Sequence, residues 1–275
     1  MLPLDEKIAV NRRLLGNPYA YLDGDGGYSA NVLSLDRIRS PEVVGKNVSF
    51  KRIEEITKSL QNEIWKNRQL LWEEKTSDDL VALLVPAVAF EGLGYRFEVA
   101  NSLGQIMSSN GMVDVAGFID KSQMYAGVSS YFSKPIQNFT AAHELGHAVL
   151  HNAMGMHRDR DLNGGAVSGQ LERVEIEANK FASCFLMPEK IVRVEFQKRF
   201  ESDQFIVSED TAFALMNSSQ SALRSKYRNL RKLARKLAET GHYHSDRFFM
   251  PLNERFNVST EAMAIRLEEL QLIRY

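Results

Sequence analysis

Apolar residues recur with helical spacing along most of the chain, starting after Ser49. This serine precedes the first sustained pattern and is suited to cap a helix. The apolar positions of that pattern are Ile53, Ile56, Leu60 and Ile64. They fall on one face, with charged residues between them, so they predict a first long amphipathic helix.

A second, more apolar helix is predicted over the run DDLVALLVPAVAFEGLG. Its aspartates suit a helix start, and Gly92 or Gly94 suits its end. Pro86 stands in the middle of the run, where it would perturb the helix. We expect this helix to be largely buried.

The spacing changes between Tyr95 and Ser130, where three short segments have the composition of strands. These segments are YRFEVA, MVDVAGFI and MYAGVSS, separated by Gly, Ser and Asn. They predict a small sheet. We expect MYAGVSS to be its edge strand, available to pair with an extended peptide.

Helical spacing returns from Phe139 to about Ala153 and again from Leu171 to Leu186. The Gly-rich segment GMHRDRDLNGGAVSGQ lies between these helices and predicts a loop that lets the chain double back. Pro188 stops the second helix. The two helices are therefore predicted to lie side by side.

The ends of the chain differ from this central part. Residues 1–48 mix Gly, Asn, Asp and Pro without sustained periodicity, which indicates an extended N-terminal arm. Residues 191–275 are helical in composition and include a basic insertion. The predicted organisation is an arm (1–48), a core (49–190) and a helical C-terminal region (191–275).

Composition narrows the class of protein. Apolar residues at 44% and charged residues at 25% are typical of globular proteins, and a net charge of -1 gives no strong field for nucleic acid or membranes. Cys184 is the only cysteine, which excludes an intrachain disulfide and favours a reducing compartment. The N-terminal residues lack the order of a secretory signal, and the longest apolar stretch, 80–90, is about half of the roughly 20 residues that span a bilayer. We therefore expect a cytoplasmic protein.

The motif His143-Glu144-Leu145-Gly146-His147 lies in the first of the paired helices. Residues four apart on a helix have Cβ atoms roughly 5 to 6 Å apart, so both histidines can reach one metal ion. Imidazole nitrogens at about 2.0 to 2.1 Å suit Zn²⁺. Glu144 is rotated by about 100° from His143, which places its carboxylate beside the metal, where it can take a proton from an activated water. The motif predicts a zinc hydrolase with Glu144 as general base.

A catalytic zinc site needs a third protein ligand. Val149 and Ala153 stand where the long metzincin motif has glycine and histidine, so that ligand set is absent. His151 lies one turn beyond His147, but three histidines stacked on a straight helix spread over about 12 Å, too far to share one ion. We expect His151 to support the site or to be structural.

A carboxylate on the second paired helix is the preferred third ligand. Glu175 and Asn179 lie four apart on one face, so Glu175 can bind zinc while the Asn179 amide orients a ligating histidine. Glu177 is rotated from Glu175 by about 200° and is expected on a solvated face. Glu177 nevertheless remains the alternative ligand from sequence alone.

Taken together, these segments resemble the ImmA/IrrE family of metallopeptidases. NFTAAHELGHAVLH is similar to its motif-bearing helix, VEIEANKFASCFLMP to its third-ligand helix, and ERFNVSTEAMAIRLEELQLI to a small helical segment that follows the peptidase core. The resemblance implies a zincin-like α+β core with flanking helical segments. It implies Zn²⁺ held by His143, His147 and Glu175, with Glu144 as the catalytic base.

The resemblance also implies a substrate class. Members of the family cleave helix-turn-helix transcriptional repressors and thereby induce mobile elements or stress-response genes. We therefore expect limited proteolysis of a protein partner, for which such a repressor is the candidate. The alternative is a metal-containing regulatory or toxin-antitoxin component that binds its partner without cutting it.

The C-terminal region holds the residues that bear on nucleic acid. Its basic stretch, 224–236, contains Arg224, Lys226, Arg228, Arg231, Lys232, Arg235 and Lys236. We favour a solvated cationic face on a packed helix, with nucleic acid or an acidic partner as the alternative. The terminal segment carries Glu254, Glu261, Glu268 and Glu269, which would repel phosphates, so we expect it to be a packing module. His242 and His244 are expected to be surface histidines.

Overall fold

The computed structural model describes residues 32–39, 48–72, 77–108, 111–151, 156–158, 169–244 and 247–275. Helices and small sheets are mixed along these residues, which confirms the predicted α+β class. The helices are α1 (Leu35–Ile38), α2 (Phe50–Lys66), α3 (Arg68–Leu71), α4 (Leu80–Leu83), α5 (Pro86–Gly92), α6 (Lys134–Leu150), α7 (Gly169–Leu186), α8 (Glu189–Phe200), α9 (Glu209–Met216), α10 (Gln220–Lys226), α11 (Leu230–Glu239), α12 (Leu252–Arg255) and α13 (Thr260–Glu269). The strands are β1 (Arg96–Ala100), β2 (Gln105–Ser108), β3 (Gly111–Asp114), β4 (Gly117–Asp120), β5 (Tyr125–Ser129), β6 (Met156–Arg158), β7 (Phe205–Ile206) and β8 (Ile273–Arg274).

Helix α2 forms where the apolar spacing predicts it. The Ser49 side chain accepts a hydrogen bond from the Arg52 backbone N–H and caps the first turn. The predicted apolar face is fully buried. On the same side of the helix, the Gln61 amide donates to the carbonyls of Cys184 and Phe185 at 2.9 and 3.1 Å. The helix is thereby attached to the end of α7.

The predicted second helix is two short helices in the structure. Helix α4 ends at Leu83, and α5 begins at Pro86. Proline has no N–H to donate and a fixed φ, which suits the first position of a helix rather than its interior. Pro86 therefore starts a helix instead of perturbing one, and the helix ends at Gly92, one of the two predicted ends.

The main sheet has the strand order β1-β5-β4-β6. Strand β1 is parallel to β5, and β4 is antiparallel to both β5 and β6. Strand β5, which is the segment MYAGVSS, therefore has paired neighbours on both sides. The expectation that it forms an edge strand is wrong, because the sequence pattern does not reveal that a parallel strand from 96–100 joins it.

A separate hairpin connects β1 to β4. Strand β2 pairs with β3 in antiparallel register, with Gln105 opposite Asp114 and Met107 opposite Met112. The predicted strand MVDVAGFI is thus divided into β3 and β4, and β2 was not predicted. Both methionines are exposed, so this ribbon lacks the buried face from which a strand is recognised in sequence.

Helices α6 and α7 pack closely against each other. A Cβ atom built on Gly146 would lie 3.1 Å from the Ala178 Cα and 3.2 Å from the Phe181 Cβ. Real Cβ contacts are rarely so short, so this approach requires a residue without a side chain. Gly146, between the two motif histidines, therefore lets α7 come close to them.

Part of the predicted N-terminal arm is described, and it contacts this helix pair. Residues 32–39 include the single turn α1, with Leu33 and Ile38 buried. The Arg39 guanidinium donates hydrogen bonds to the carbonyls of Ala148 and Val149 in the last turn of α6. The rest of the arm, residues 1–31 and 40–47, lies outside the described residues, as does most of the predicted Gly-rich loop.

The basic stretch contacts the terminal segment. Arg231 bonds Glu268 with two nitrogens, at 2.7 and 2.9 Å, and Glu261 with a third at 2.5 Å. Arg235 lies 3.5 Å from Glu261. Two of the basic residues thus neutralise two of the acidic ones between α11 and α13, as a packing role for both segments requires.

The predicted division at residue 190 stays a prediction. Helix α8 begins at Glu189, before that boundary, and Val32–Tyr275 forms one compact unit. Among the described residues, no helix combines the length and apolar character that crossing a membrane would need.

Candidate metal centre

The two motif histidines lie one turn apart on α6 with their rings directed at the same point. Their Nε2 atoms are 2.9 Å apart, and both side chains are almost completely buried. Helix α6 ends at Leu150, shortly after the motif, so both histidines lie in its second half. The helix therefore presents two nitrogen donors to one place, as the spacing predicts.

Glu175 on α7 completes a group of three potential ligands. Its Oε2 lies 3.1 Å from the His143 Nε2 and 3.6 Å from the His147 Nε2. Donor atoms about 2.0 to 2.1 Å from a tetrahedral zinc ion lie about 3.3 Å from one another. The three observed separations, 2.9, 3.1 and 3.6 Å, bracket that value, and His-His-carboxylate is an ordinary zinc donor set. The residues therefore fit a zinc ion.

Asn179 holds the first histidine in position. Its Oδ1 lies 2.9 Å from the His143 Nδ1. An amide oxygen only accepts, so His143 must carry its proton on Nδ1 and leave Nε2 free to bind a metal. The sequence interpretation, in which Asn179 orients a ligating histidine, rests on the four-residue spacing from Glu175, and the structure places the amide in contact with His143.

Glu177 is buried rather than solvated, and it is not directed at the group of three ligands. Its side chain contacts the His151 Nε2 at 3.2 Å and the Arg173 Nε at 3.1 Å. It also accepts a hydrogen bond of 3.0 Å from the Val48 backbone N–H. The expectation of a solvated face is wrong because the N-terminal segment and the end of α6 cover this side of α7.

Glu144 is fully buried beside the sheet. A Cβ atom on Gly117, the first residue of β4, would lie 3.0 Å from the Glu144 Oε1 and 2.5 Å from the Thr140 Cγ2. Gly117 therefore makes room for the motif carboxylate. Sequence reasoning missed this residue, since a single glycine at the start of a strand has no distinguishing signal.

Two cations lie at the C-terminal end of α6. Lys121 donates a hydrogen bond to the His151 carbonyl, next to the carbonyls that Arg39 contacts. Burial lowers the pKa of Lys121 to about 8, and the charge of Arg39 acts in the same direction while that of Glu144 opposes it. Both cations complement the negative end of the helix dipole. Neither was singled out from sequence.

The remaining candidate histidines are placed as expected. His242 and His244 are exposed and belong to the segment after α11. The group of potential metal ligands found among the described residues contains His143, His147 and Glu175 and neither of these two.

Comparison with known proteins gives a match in the central part of the chain. Residues 111–212 match the model of the peptidase M78 family, described as the IrrE N-terminal-like domain. The matched range begins at β3, ends in α9 and contains the motif and Glu175. No curated protein matches the chain. Over residues 111–212, the chain is therefore similar to the ImmA/IrrE family of metallopeptidases, the family that its motifs resemble.

Proposed function

We propose that this protein is a zinc-dependent metallopeptidase that performs limited hydrolysis of a protein partner. The observation that carries the proposal is the convergence of the His143, His147 and Glu175 donor atoms at zinc-like separations. This donor set leaves a fourth tetrahedral position for water or substrate, as catalytic sites do. The Glu175 side chain is 32% exposed, so solvent reaches the centre from that side.

Each residue has a defined task in the proposed reaction. His143, His147 and Glu175 hold the ion, which when bound supplies Lewis-acid polarisation of a water molecule and of the scissile carbonyl. The Glu144 carboxylate takes the proton that the attacking water loses and passes it to the nitrogen of the leaving amine. Burial of Glu144 keeps its orientation fixed by packing.

The proposed substrate class comes from the family and not from the geometry. A helix-turn-helix repressor is the partner that the ImmA/IrrE resemblance favours. Proteolysis of such a partner would place this protein in the cytoplasm and link it to stress-response genes or mobile elements. The unpaired thiol of Cys184, buried in α7, is consistent with a reducing compartment.

The test measures cleavage of helix-turn-helix repressors encoded near the gene of this protein. The full chain, loaded with zinc, is compared with two variants. In Glu144→Gln, cleavage should fall by about 10²- to 10⁴-fold, the usual contribution of a general base, while one zinc per chain is retained. Glu91→Gln, at an exposed position of α5, is the matched control and should cleave normally.

Two outcomes would contradict parts of this proposal. Cleavage at the wild-type rate by Glu144→Gln would exclude Glu144 as the base. If the wild type forms a stable complex with a repressor and yields no cut product, the alternative is favoured, in which the protein binds its partner without cutting it. Mass spectrometry of the repressor fragments distinguishes these results.

A further inference from the structure

We propose that His151 and Glu177 form a positioning relay that fixes the tautomer and orientation of His147 and thereby tightens metal binding. The inference rests on the proposed metal site. It assigns a task to two residues that neither bind the metal nor touch the reacting atoms. The evidence is a continuous line of hydrogen bonds that leads from His147 to a buried carboxylate.

The line begins on the side of His147 that faces away from the other ligands. The His147 Nδ1 lies 3.1 Å from the His151 Nδ1, and the His151 Nε2 lies 3.2 Å from the Glu177 Oε2. Both ring nitrogens of His151 are therefore used. His151 is absent from the group of potential ligands, which agrees with the argument that three stacked histidines cannot share one ion.

The position of protons along this line follows from the acceptors at its ends. His147 can bind a metal through Nε2 only if its proton is on Nδ1. That N–H then donates to the His151 Nδ1, so the proton of a neutral His151 must be on Nε2. A carboxylate accepts this second hydrogen bond, so every link has one donor and one acceptor.

Glu177 is anchored so that it can serve as the fixed end. The residue is 2% exposed, and its Oε1 accepts from the Arg173 Nε at 3.1 Å and the Val48 N–H at 3.0 Å. Charge-assisted bonds of this kind offset the desolvation of a buried carboxylate. The backbone of His151 is also held, because its carbonyl accepts from Lys121.

The two ligating histidines are thus supported differently. His143 contacts a neutral amide directly, whereas His147 contacts a carboxylate through a second imidazole. A carboxylate partner raises the basicity of a ligating histidine, and loss of such a partner typically lowers metal affinity by about 10- to 100-fold. We expect the relay to contribute within that range.

The first test measures zinc affinity of the full chain by competition with a chromophoric chelator. His151→Phe, which keeps a ring but removes both nitrogens, should weaken zinc binding by about 10- to 100-fold. Glu177→Gln should weaken it less, because its amide oxygen can still accept from His151. The matched control is Glu63→Gln, a buried glutamate of α2 paired with Lys66, which should bind zinc like the wild type.

The second test needs no variant. Nitrogen-15 chemical shifts of the zinc-loaded wild type, assigned among the six histidines, should show His147 protonated on Nδ1 and His151 on Nε2. Cobalt substitution adds a signature, since the visible absorption bands of Co²⁺ should change in His151→Phe and not in Glu63→Gln. A purely structural role for His151 would leave those bands unchanged.

The outcomes separate the relay from the metal site itself. Zinc affinity within about twofold of the wild type in His151→Phe, or His151 protonated on Nδ1, would overturn the relay while leaving the zinc site intact. An equal loss of affinity in Glu63→Gln would also overturn it, since the effect would then be general. A wild-type chain that does not bind zinc would overturn both the proposed function and the relay.

Discussion

At the scale of single residues, the motif carboxylate depends on a glycine in the sheet. Gly117→Ala would bring a methyl group within 3.0 Å of the Glu144 Oε1 and 2.5 Å of the Thr140 Cγ2. Because the Thr140 contact is too short to persist, the side chains must shift, and Glu144, the proposed general base, is displaced. We predict a fall in peptidase activity of about 10²-fold or more, with zinc retained, since general-base catalysis depends on position.

The control for this prediction is Gly241→Ala. The nearest atom to its new Cβ would lie at 3.4 Å, an ordinary contact. This variant should cleave like the wild type. Full activity of Gly117→Ala in a peptide-cleavage assay would show that the placement of Glu144 tolerates the methyl group.

The lowered pKa of Lys121 predicts how the stability of the protein changes with pH. Its pKa is about 8 in the folded protein, mainly because of burial, against 10.5 for an ordinary lysine. Between these values the unfolded chain binds more protons than the folded one, so the contribution of Lys121 to stability rises with pH. Below about pH 8 the lysine is charged in both states, and this gain is absent.

The measurement is the free energy of unfolding in urea at pH 7.5 and pH 10. The free energy of unfolding of the wild type, relative to that of Lys121→Met, should be higher at pH 10 than at pH 7.5. The free energy of unfolding of Lys232→Met, a variant at an exposed position of α11, should change with pH as that of the wild type does. An equal pH response in all three proteins would contradict the assigned burial of Lys121.

At the scale of elements, the candidate metal centre depends on how closely α6 and α7 pack. Gly146→Ala would place a Cβ 3.1 Å from the Ala178 Cα and 3.2 Å from the Phe181 Cβ. Overpacking of this kind typically lowers the free energy of unfolding by about 1 to 3 kcal/mol. It should also weaken zinc binding, because separating the helices moves Glu175 away from the histidines. Unchanged stability and unchanged zinc affinity in this variant would contradict the packing argument.

The sequence predicts those elements whose periodicity depends on one buried face. The apolar positions of α2 have this property. The four-residue spacings on α6 and α7 depend on helix geometry alone, and there the structure agrees with the spacing. The buried position of the Glu177 side chain could not be predicted, because Val48 and His151, which form its surroundings, are far from it along the chain. The neighbours of β5 and the room that Gly117 provides likewise depend on contacts between distant segments.

At the scale of the whole molecule, the basic and acidic segments of the C-terminal region neutralise each other in part. Arg231 bonds both Glu261 and Glu268 across α11 and α13, and these contacts raise the pKa of its guanidinium. The pairs are partly exposed, so solvent screening limits their contribution. We predict a loss of about 1 kcal/mol in the free energy of unfolding for Arg231→Gln, with zinc affinity unchanged.

A double-mutant cycle separates this contact from general effects of the substitution. Arg231→Gln and Glu268→Gln should each destabilise the protein, and the double variant should lose less than the sum of the two. Lys232→Gln, an exposed neighbour in α11, is the control and should leave stability within about 0.5 kcal/mol of the wild type. Strict additivity would show that the ion pair contributes nothing.

The central claim is that His143, His147 and Glu175 hold one catalytic zinc ion. X-ray absorption at the zinc edge of the purified protein measures the ligands directly. The expected result is one zinc per chain with two imidazole nitrogens at about 2.0 to 2.1 Å and the remaining ligands oxygen, one of which is lost in Glu175→Ala. A spectrum without imidazole ligands, or one that changes in Glu177→Ala by loss of a zinc-bound oxygen but not in Glu175→Ala, would contradict it.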